Sequence, residues 1–162
     1  TFTIMKQSIA AATDIAIHAP IDKIWQIMLD TGKYSDWNSF VVKAEAHGDV
    51  SKPGTAMKLH VRWQNGKGAT SGEIITEAKA PTPALMGLKE ACWAYRFTGW
   101  LAALGLVKAT RYQWLQEENA NFTIYRTREE FTGLLKNFIP LAEVQHGFER
   151  QAANLKHRAE NS

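Results

Sequence analysis

The stretch that decides the fold is NFIPLAEVQHGFERQAANLKHRAE, residues 137–160. Apolar or small residues recur in it every three or four positions, the period of one stripe along an α-helix: Phe138, Leu141, Val144, Phe148, Ala152, Leu155 and Ala159. Asn137 is the predicted N-cap, and Pro140 falls in the first turn, where a missing N–H costs little. A long helix that is apolar along one stripe only predicts a broad apolar surface for it to pack against.

Two glutamines interrupt this stripe. Gln145 and Gln151 project on the same arc as the leucines, whereas His146 and Arg150 point away. Either the two glutamines lie at the edge of the stripe and hydrogen-bond to water, or the helix covers a cavity that contains polar groups, because core-facing amides need partners. The sequence leaves both interpretations open.

The composition is that of an ordinary globular protein, with 45% hydrophobic and 22% charged residues among 162. This length predicts one domain spanning residues 1–162. No run approaches the roughly 18 consecutive apolar residues of a membrane-spanning helix, so we expect no stable membrane insertion. Residues 1–8 carry one lysine and no long apolar run, unlike a signal peptide. The single cysteine, Cys92, argues against a disulfide framework and predicts a reducing, cytoplasmic location.

The spacing of the histidines and the distribution of charge argue against metal binding and nucleic-acid binding. The five histidines show no paired spacing with one another or with Cys92, so the sequence predicts no metal site. The 19 basic residues barely exceed the 16 acidic ones and, apart from Lys156 and Arg158 beside His157, they are dispersed. Nucleic-acid binding usually requires a basic stripe, and we therefore predict no nucleic-acid partner.

Alternating apolar and polar residues predict a first strand over residues 8–18, followed by an amphipathic helix from Pro20 through Met28 and a short helix at residues 34–38. Alternation and turn signals then predict six more strands: residues 41–46, 56–64, 69–78, 85–97, 108–116 and 122–131. Helices gathered on one face of an antiparallel sheet define an α+β fold. We therefore expect a curved sheet of about seven strands wrapped around the long C-terminal helix, with a cavity of about 300 Å³ or more between them.

Two motifs in this pattern resemble a known superfamily. The first is I-x-I-x-A-P-x-x-x-I-W from Ile15 to Trp25, and the second is T-x-Y-x-T-x-E-x-F-x-G-L-L from Thr123 to Leu135. In this order, and followed by the terminal helix, they resemble the START-like superfamily and most closely its SRPBCC group of polyketide cyclase/dehydrase-like proteins. The resemblance spans about residues 8–160. It implies a helix-grip fold around a large, mostly apolar ligand cavity, and it says little about the reaction.

The sequence departs from the family pattern on one strand. Where related chains often show G-x-H-x-F-x-L, this chain has Ala109, Arg111, Gln113 and Leu115. Pairing the last two predicted strands around Asn119 sets Arg111 opposite Thr127 and Gln113 opposite Tyr125, with Glu129 on a diagonal from Arg111. Strand parity then places these polar side chains on the face shared with Leu115 and Phe131. A one-residue bulge would instead turn Tyr112 and Trp114 inward.

This polar cluster predicts a candidate catalytic site. Arg111 with Tyr95 or Tyr125 would stabilise negative charge on a carbonyl or enolate oxygen, and a buried Glu129 with a raised pKa would move a proton at the adjacent carbon. Such a site serves cyclisation, dehydration or isomerisation of a lipophilic, oxygenated substrate of the polyketide or terpenoid type, without a cofactor. Alternatively, Arg111 and Glu129 form a structural ion pair, or the protein is a non-catalytic binder or carrier of a hydrophobic small molecule. A partner-binding module would carry its apolar surface outside.

The remaining candidates are aromatic and polar residues expected to bind the ligand: Trp63, Trp93, Phe97, Trp100, Gln113, Thr127, Phe131, Gln145 and Phe148. The apolar segment GWLAALGLV, residues 99–107, is a connection folded onto the core, a lid at the cavity mouth, or a patch that touches a membrane or a partner. Trp93, Tyr95 and Phe97 share one face of their predicted strand, which equally suits a packed core. We expect a monomer or a homodimer.

Overall fold

The computed structural model describes residues 8–162. Residues 1–7, on which the expectation about a signal peptide depends, lie outside the described residues. The strands are β1 (Ile9–Ile17), β2 (Val41–Ala46), β3 (Ala56–Arg62), β4 (Gly68–Pro83), β5 (Lys89–Phe97), β6 (Lys108–Asn119) and β7 (Phe122–Thr132). The helices are α1 (Ile21–Leu29), α2 (Tyr34–Trp37), α3 (Trp100–Ala103) and α4 (Leu141–Glu160).

The seven strands form one antiparallel sheet in the order β1-β7-β6-β5-β4-β3-β2. Helices α1 and α2 follow β1, and α4 packs against the sheet through its apolar stripe. This is the α+β helix-grip arrangement that the sequence predicted, and the structure confirms it. Within residues 8–162, no helix combines the length and the apolar character that crossing a bilayer requires.

The long helix begins later than its sequence predicted. Asn137 is not its N-cap, because residues 136–138 form a separate 3₁₀ turn and α4 starts at Leu141. Ile139 is extended, with φ −69° and ψ 130°, since a residue that precedes a proline is disfavoured in the helical region. Pro140 therefore occupies the N-cap position, and Phe138 is 82% exposed instead of lying on the buried stripe.

The two glutamines of the stripe have different roles. Gln145 bonds the edge strand β1, where its side-chain amide exchanges two hydrogen bonds with the backbone of Ala12, at 2.8 and 2.9 Å. Lys156 bonds the same strand at Ala16 O, at 2.9 Å. Gln151 is 3% exposed and points into the core. Gln145 thus provides hydrogen-bond partners for the outward-facing backbone groups of Ala12 on the edge strand, whereas Gln151 is buried in the interior.

The last hairpin has a different register from the predicted one. Arg111 lies opposite Glu129, and Gln113 lies opposite Thr127, because the turn occupies residues 120–121 and a bulge separates Glu117 from Asn119. The predicted pairing is therefore wrong by two residues. An even shift leaves every side chain on its predicted face, so the polar cluster still points inward.

The inner face of the sheet has two halves. Helix α1 packs against α4 and against β4, β5 and β6, and its buried apolar side chains cover one half of the face. We call this the closed half; it contains Trp93, Leu115 and Tyr125, each no more than 1% exposed. The other half lies under the first turns of α4 and encloses a cavity. We call this the cavity half.

Several strand boundaries also differ from the prediction: β4 extends to Pro83 instead of residue 78, and β3 ends at Arg62 instead of residue 64. The strand expected at residues 85–97 begins at Lys89, because Leu85–Gly87 forms a turn in which Met86 has φ +62°. Leu85 and Met86 are 88% and 95% exposed. Strands β6 and β7 extend slightly further than expected, to Asn119 and Thr132.

Candidate functional site

The cavity half encloses a space of about 190 Å³ between α4 and the sheet. Most of its wall is apolar and includes Phe40, Leu59, Phe97, Leu101, Phe131 and Phe148. The polar part of its wall consists of Ser71, Glu73, Tyr95, Arg111 and Glu129. The volume is smaller than the predicted 300 Å³ or more, because the Arg111 guanidinium stacks on Phe148 and occupies part of the space, with its Cζ 4.0 Å from the ring centroid.

Arg111 is fixed by neighbours on three elements and is 2% exposed. Its Nε donates to Thr127 Oγ1 at 3.0 Å, and its Nη1 donates to Tyr95 Oη at 3.1 Å and to Gln151 Oε1 at 3.0 Å. The ring of Phe148 supports the guanidinium from below through a cation–π contact. The remaining nitrogen, Nη2, is buried and has no hydrogen-bond partner. The guanidinium is therefore held in place through two of its three nitrogens, and the third has no protein partner.

Glu129 lies opposite Arg111 across the β6–β7 ladder, but within residues 8–162 the two side chains do not form a direct ion pair. Burial raises the pKa of Glu129 to about 7, and the positive charge of Arg111 limits the rise. Glu129 borders the cavity and remains partly accessible from it. The structural ion pair considered from the sequence is thus not formed.

A second carboxyl group, Glu73 on β4, faces the same cavity and is 6% exposed. Ser71 Oγ donates to its Oε1 at 3.0 Å, while its Oε2 is buried without a partner. Burial, with a further contribution from the charge of Glu129, raises the pKa of Glu73 to about 8, against the opposing effects of Ser71 and Arg111. Burial therefore raises the pKa values of both carboxyl groups towards neutral pH, and that of Glu73 is raised further.

Sequence reasoning missed Glu73 and Ser71. The signal that would have found them is the parity of β4. Ile75 is 1% exposed and pairs with Tyr95, so Glu73 and Ser71, two and four residues earlier, share its inward face. The adjacent Ile74 obscured this alternation.

The two tyrosines of the predicted catalytic set lie in different halves. Tyr95 borders the cavity, and its hydroxyl accepts the hydrogen bond from Arg111. Burial raises the pKa of its hydroxyl above the ordinary range, so Tyr95 is neutral. Tyr125 does not line the cavity; it lies in the closed half, where its hydroxyl donates to Gln113 Oε1 at 2.7 Å. Both tyrosines lie close enough to Arg111 for its charge to oppose the rise in their pKa values, but only Tyr95 also lines the cavity.

Of the predicted ligand-binding residues, Phe97, Phe131 and Phe148 line the cavity. Gln113 is buried in the closed half, and Thr127 supports Arg111 from behind. Gln145 does not reach the cavity, because it bonds β1.

The three predicted tryptophans lie outside the cavity wall. Trp63 packs behind Phe40, with ring centroids 5.9 Å apart. Trp93 donates from Nε1 to Val50 O at 2.9 Å in the closed half. Trp100 is 69% exposed, and its neighbour Leu101 lines the cavity in its place.

A larger depression of about 830 Å³ lies on the outer face of the sheet, around Cys92, Trp114 and Arg126. Burial raises the pKa of the Cys92 thiol to about 12, so it carries no reactive thiolate at neutral pH. Within the described part of the chain, no three histidine, cysteine, aspartate or glutamate side chains come together to hold a metal ion.

A curved antiparallel sheet around one long helix defines the helix-grip fold. No family model and no curated protein matches the sequence. Solved structures do match. The Zhui aromatase/cyclase from Streptomyces sp. R1128 is 17% identical, with a TM-score of 0.70 over 95% of this chain and 94% of that one.

Two further structures show the same architecture. Norcoclaurine synthase from Thalictrum flavum, in complex with dopamine and hydroxybenzaldehyde, is 13% identical, with a TM-score of 0.60 over 98% of this chain and 92% of that one. The di-domain ARO/CYC BexL from the BE-7585A biosynthetic pathway is 12% identical, with a TM-score of 0.66 over 99% of this chain and 52% of that one. At these identities the likenesses confirm the fold predicted from the motifs, and they show the fold alone.

Proposed function

We propose that the protein is a cofactor-independent enzyme that moves protons at a carbon next to a carbonyl group in a compact, lipophilic, oxygenated substrate of the polyketide or terpenoid type. The product is cyclised, dehydrated or isomerised. One observation carries the proposal: Arg111 Nη2 is a buried donor without a protein partner, inside an apolar cavity that also holds two carboxyl groups. An unpartnered buried donor is costly, and a ligand oxygen would complete its hydrogen bonding.

The charges of the cavity favour a neutral carbonyl over an anionic ligand. Glu129, with a pKa of about 7, already contributes negative charge opposite Arg111 at neutral pH. A carboxylate ligand would be repelled by Glu129, whereas a carbonyl oxygen acquires negative charge only as an enolate develops. These charges favour an enzyme over a carrier of acidic lipophiles.

The size of the cavity favours a compact substrate. Its 190 Å³ lies below the roughly 300–1,000 Å³ of pockets that hold drug-sized ligands. A single aromatic ring with a short side chain, or one isoprenoid unit, is in proportion to this space. The similar norcoclaurine synthase structure, which contains dopamine and hydroxybenzaldehyde, supports a ligand of this size.

The proposed reaction begins when the Glu129 carboxylate takes a proton from the carbon next to the carbonyl. The electrons of that C–H bond form the carbon–carbon double bond of an enolate, whose oxygen is hydrogen-bonded by Arg111 Nη2. In an isomerisation, protonated Glu73 returns a proton to a different carbon. In a cyclisation, the enolate carbon attacks a second carbonyl and Glu73 protonates the resulting alkoxide. For dehydration, the Glu73 carboxylate then removes the remaining proton from the carbon that attacked, the electrons of that C–H bond form the new double bond, and protonated Glu129 gives its proton to the departing hydroxyl as the C–O bond breaks. Water leaves, and both carboxyl groups return to their starting states. Every step transfers protons and electron pairs only.

The proposal is tested with phenylacetone, a compact ketone, by following deuterium uptake from D₂O at its benzylic carbon with ¹H NMR. We expect Arg111→Met to slow the enzyme-catalysed exchange by roughly 10²–10³-fold, as for the loss of one electrostatic stabiliser. Glu129→Gln should abolish the rise in rate through pH 7 that follows the ionisation of Glu129.

Matched control variants lie on the outer face of the same hairpin. Arg128 and Glu130 have the same residue types and form an exposed ion pair at 2.9 Å, so Arg128→Met and Glu130→Gln should leave the exchange rate unchanged. Equal rates in all four variants would refute the assignment of Arg111 and Glu129. Phenylacetone binding that depends on Arg111, without any catalysed exchange, would favour the carrier interpretation.

A further inference from the structure

The largest exposed apolar side chains around the cavity come from two segments that close one end of it. Trp100 and Leu104 belong to the connection between β5 and β6, and Leu134 and Phe138 to the connection between β7 and α4. Their exposed fractions are 69%, 68%, 84% and 82%. We call these four residues the apolar rim. Side chains of this size are normally withdrawn from water, and a cluster of them marks an interaction surface.

The two segments are joined into one surface. Leu135 N donates to Leu106 O at 2.9 Å. Gly133 has φ +105° and approaches Leu106 so closely that an added Cβ would lie 2.4 Å from Leu106 O. Only glycine permits this contact. The two connections that carry the apolar rim therefore contact each other through their backbones at the same end of the cavity.

The same segments also form the cavity wall at this end. Leu101 and Val107 from the first connection, and Ile139 from the second, line the cavity, while the apolar rim faces outward. A ligand that leaves an apolar phase at the rim would reach the cavity after passing only these side chains.

The charges of the two segments indicate which kind of surface the apolar rim would contact. Residues 98–110 and 131–142 contain Lys108 and Lys136 and no acidic residue. Lys108 is exposed, and its Cε lies 3.7 Å from the position that a Cβ on Gly105 would take. Lys136 lies between Leu134 and Phe138 in sequence. Aromatic and leucine side chains beside lysines are typical of peripheral contact with an anionic lipid surface, where the apolar side chains enter the headgroup region and the lysines meet lipid phosphates.

We propose that the apolar rim, with Lys108 and Lys136, docks the protein on an anionic lipid bilayer and places the cavity end against it. The contact is peripheral and reversible, so the chain lies on the bilayer and does not span it. The proposal is independent of whether the cavity performs catalysis, because it concerns only how a lipophilic molecule gains access.

The test is flotation of the full chain with vesicles of phosphatidylcholine alone and of phosphatidylcholine with phosphatidylglycerol at about 3:1. We expect binding to the anionic vesicles that weakens as salt is raised. The variants Trp100→Ser/Phe138→Ser and Lys108→Glu/Lys136→Glu should each lower the partition coefficient by more than about tenfold. Brominated lipids should quench Trp100 fluorescence, and Trp100→Phe should remove that quenching.

The matched control is Leu85→Ser/Met86→Ser, which removes two equally exposed apolar side chains at the opposite end of β5. This control should bind vesicles as the unaltered chain does. The proposal is overturned if the unaltered chain does not float, if the control loses as much binding as the rim variants, or if the rim instead holds two copies together, seen as a dimer that Trp100→Ser/Phe138→Ser dissociates. If that variant fails to fold, Lys108→Glu/Lys136→Glu decides the question alone, since Lys108 is exposed and Lys136 is half-buried.

Discussion

The closed half and the cavity half of the inner face are built from the same strands, but they treat buried polar groups differently. In the closed half, Trp93 Nε1 bonds Val50 O, Thr123 Oγ1 bonds Ala19 O and Tyr125 Oη bonds Gln113. In the cavity half, Arg111 Nη2 and Glu73 Oε2 have no partner. In the closed half Gln113 Nε2 also lacks one. An unpartnered buried group destabilises the fold, so both halves carry this cost, but only in the cavity half do the unpartnered groups belong to titratable side chains that border open space.

The difference follows from what covers each half. Helix α1 lies over the closed half, and the second part of α4 completes its packing with Leu155 and Ala159, each 1% exposed. The cavity half has only the first turns of α4, with Val144 and Phe148, above its floor. Stability is thus concentrated in one half, and the groups available to a ligand are concentrated in the other.

The largest expected effect on stability is in the closed half. Leu155→Ala should lower the free energy of unfolding by about 2–5 kcal/mol, because it opens a cavity in fully packed surroundings. Leu59→Ala makes the same chemical change in the cavity half, where the side chain already borders empty space, and should cost less. Urea denaturation of both variants measures the difference. Equal losses would show that the two halves are packed alike.

The second prediction concerns Glu73 and the dependence of stability on pH. Its pKa is about 8 in the folded chain, against about 4.3 in an unfolded one. Between these values the folded state binds more protons than the unfolded state, so stability falls as pH rises from about 5 to 8 and then levels off. Glu73→Gln removes this contribution. The variant should show a decrease in the free energy of unfolding with rising pH that is smaller by roughly 2–4 kcal/mol. It should therefore exceed the unaltered chain in stability mostly at pH 8.

Thermal and urea unfolding at pH 5, 7 and 9 measure this effect. Glu130→Gln is the control, because Glu130 is exposed on the outer face. If Glu73→Gln and Glu130→Gln change the pH profile alike, Glu73 is not held protonated in the folded chain. Glu129, whose pKa is about 7, adds a smaller fall in the same direction, so the residual slope of Glu73→Gln should lie between about pH 5 and 7.

Much of the architecture could be predicted because it depends on side-chain period. Val144, Phe148, Ala152 and Leu155 are buried along α4 as their spacing predicts, and Arg111 and Glu129 face inward because parity survives an even change of register. The fold class, the topology of the last hairpin and the inward-facing polar cluster therefore came from local pattern alone.

The rest depends on relations that local pattern does not contain. Glu73 enters the site because β4 pairs with β5, so that it lies beside Phe97. Trp100 and Leu101 both lie in the short helix α3, where consecutive side chains point in different directions. Trp100 is therefore exposed while Leu101 lines the cavity. The cavity volume depends on the position of one Arg111 side chain over Phe148. Two features were predictable in principle: the inward face of Glu73, from the parity of β4, and the start of α4, from the conformational restriction that Pro140 places on Ile139.

The smallest expected effect on stability comes from a single hydrogen bond in the closed half. Tyr125→Phe removes the hydroxyl that donates to Gln113 Oε1 at 2.7 Å. It leaves the amide of Gln113 with neither of its polar atoms bonded, because Gln113 Nε2 already lacks a partner. The free energy of unfolding should fall by about 1–2 kcal/mol. Adding Gln113→Met, which replaces the stranded amide by an apolar side chain of similar length, should recover most of that loss, because removing both partners is nearly neutral.

The same variants decide the role of Tyr125. If the closed half is only structural, Tyr125→Phe and the double variant should both exchange phenylacetone at the rate of the unaltered chain per folded molecule. A loss of exchange in Tyr125→Phe that Gln113→Met does not repair would instead place Tyr125 in the chemistry. Tyr95→Phe provides the contrast, because Tyr95 accepts a hydrogen bond from Arg111 at the cavity wall. Tyr95→Phe leaves Arg111 Nη1 bonded to Gln151 Oε1 alone, and it should slow exchange while changing stability little more than Tyr125→Phe does.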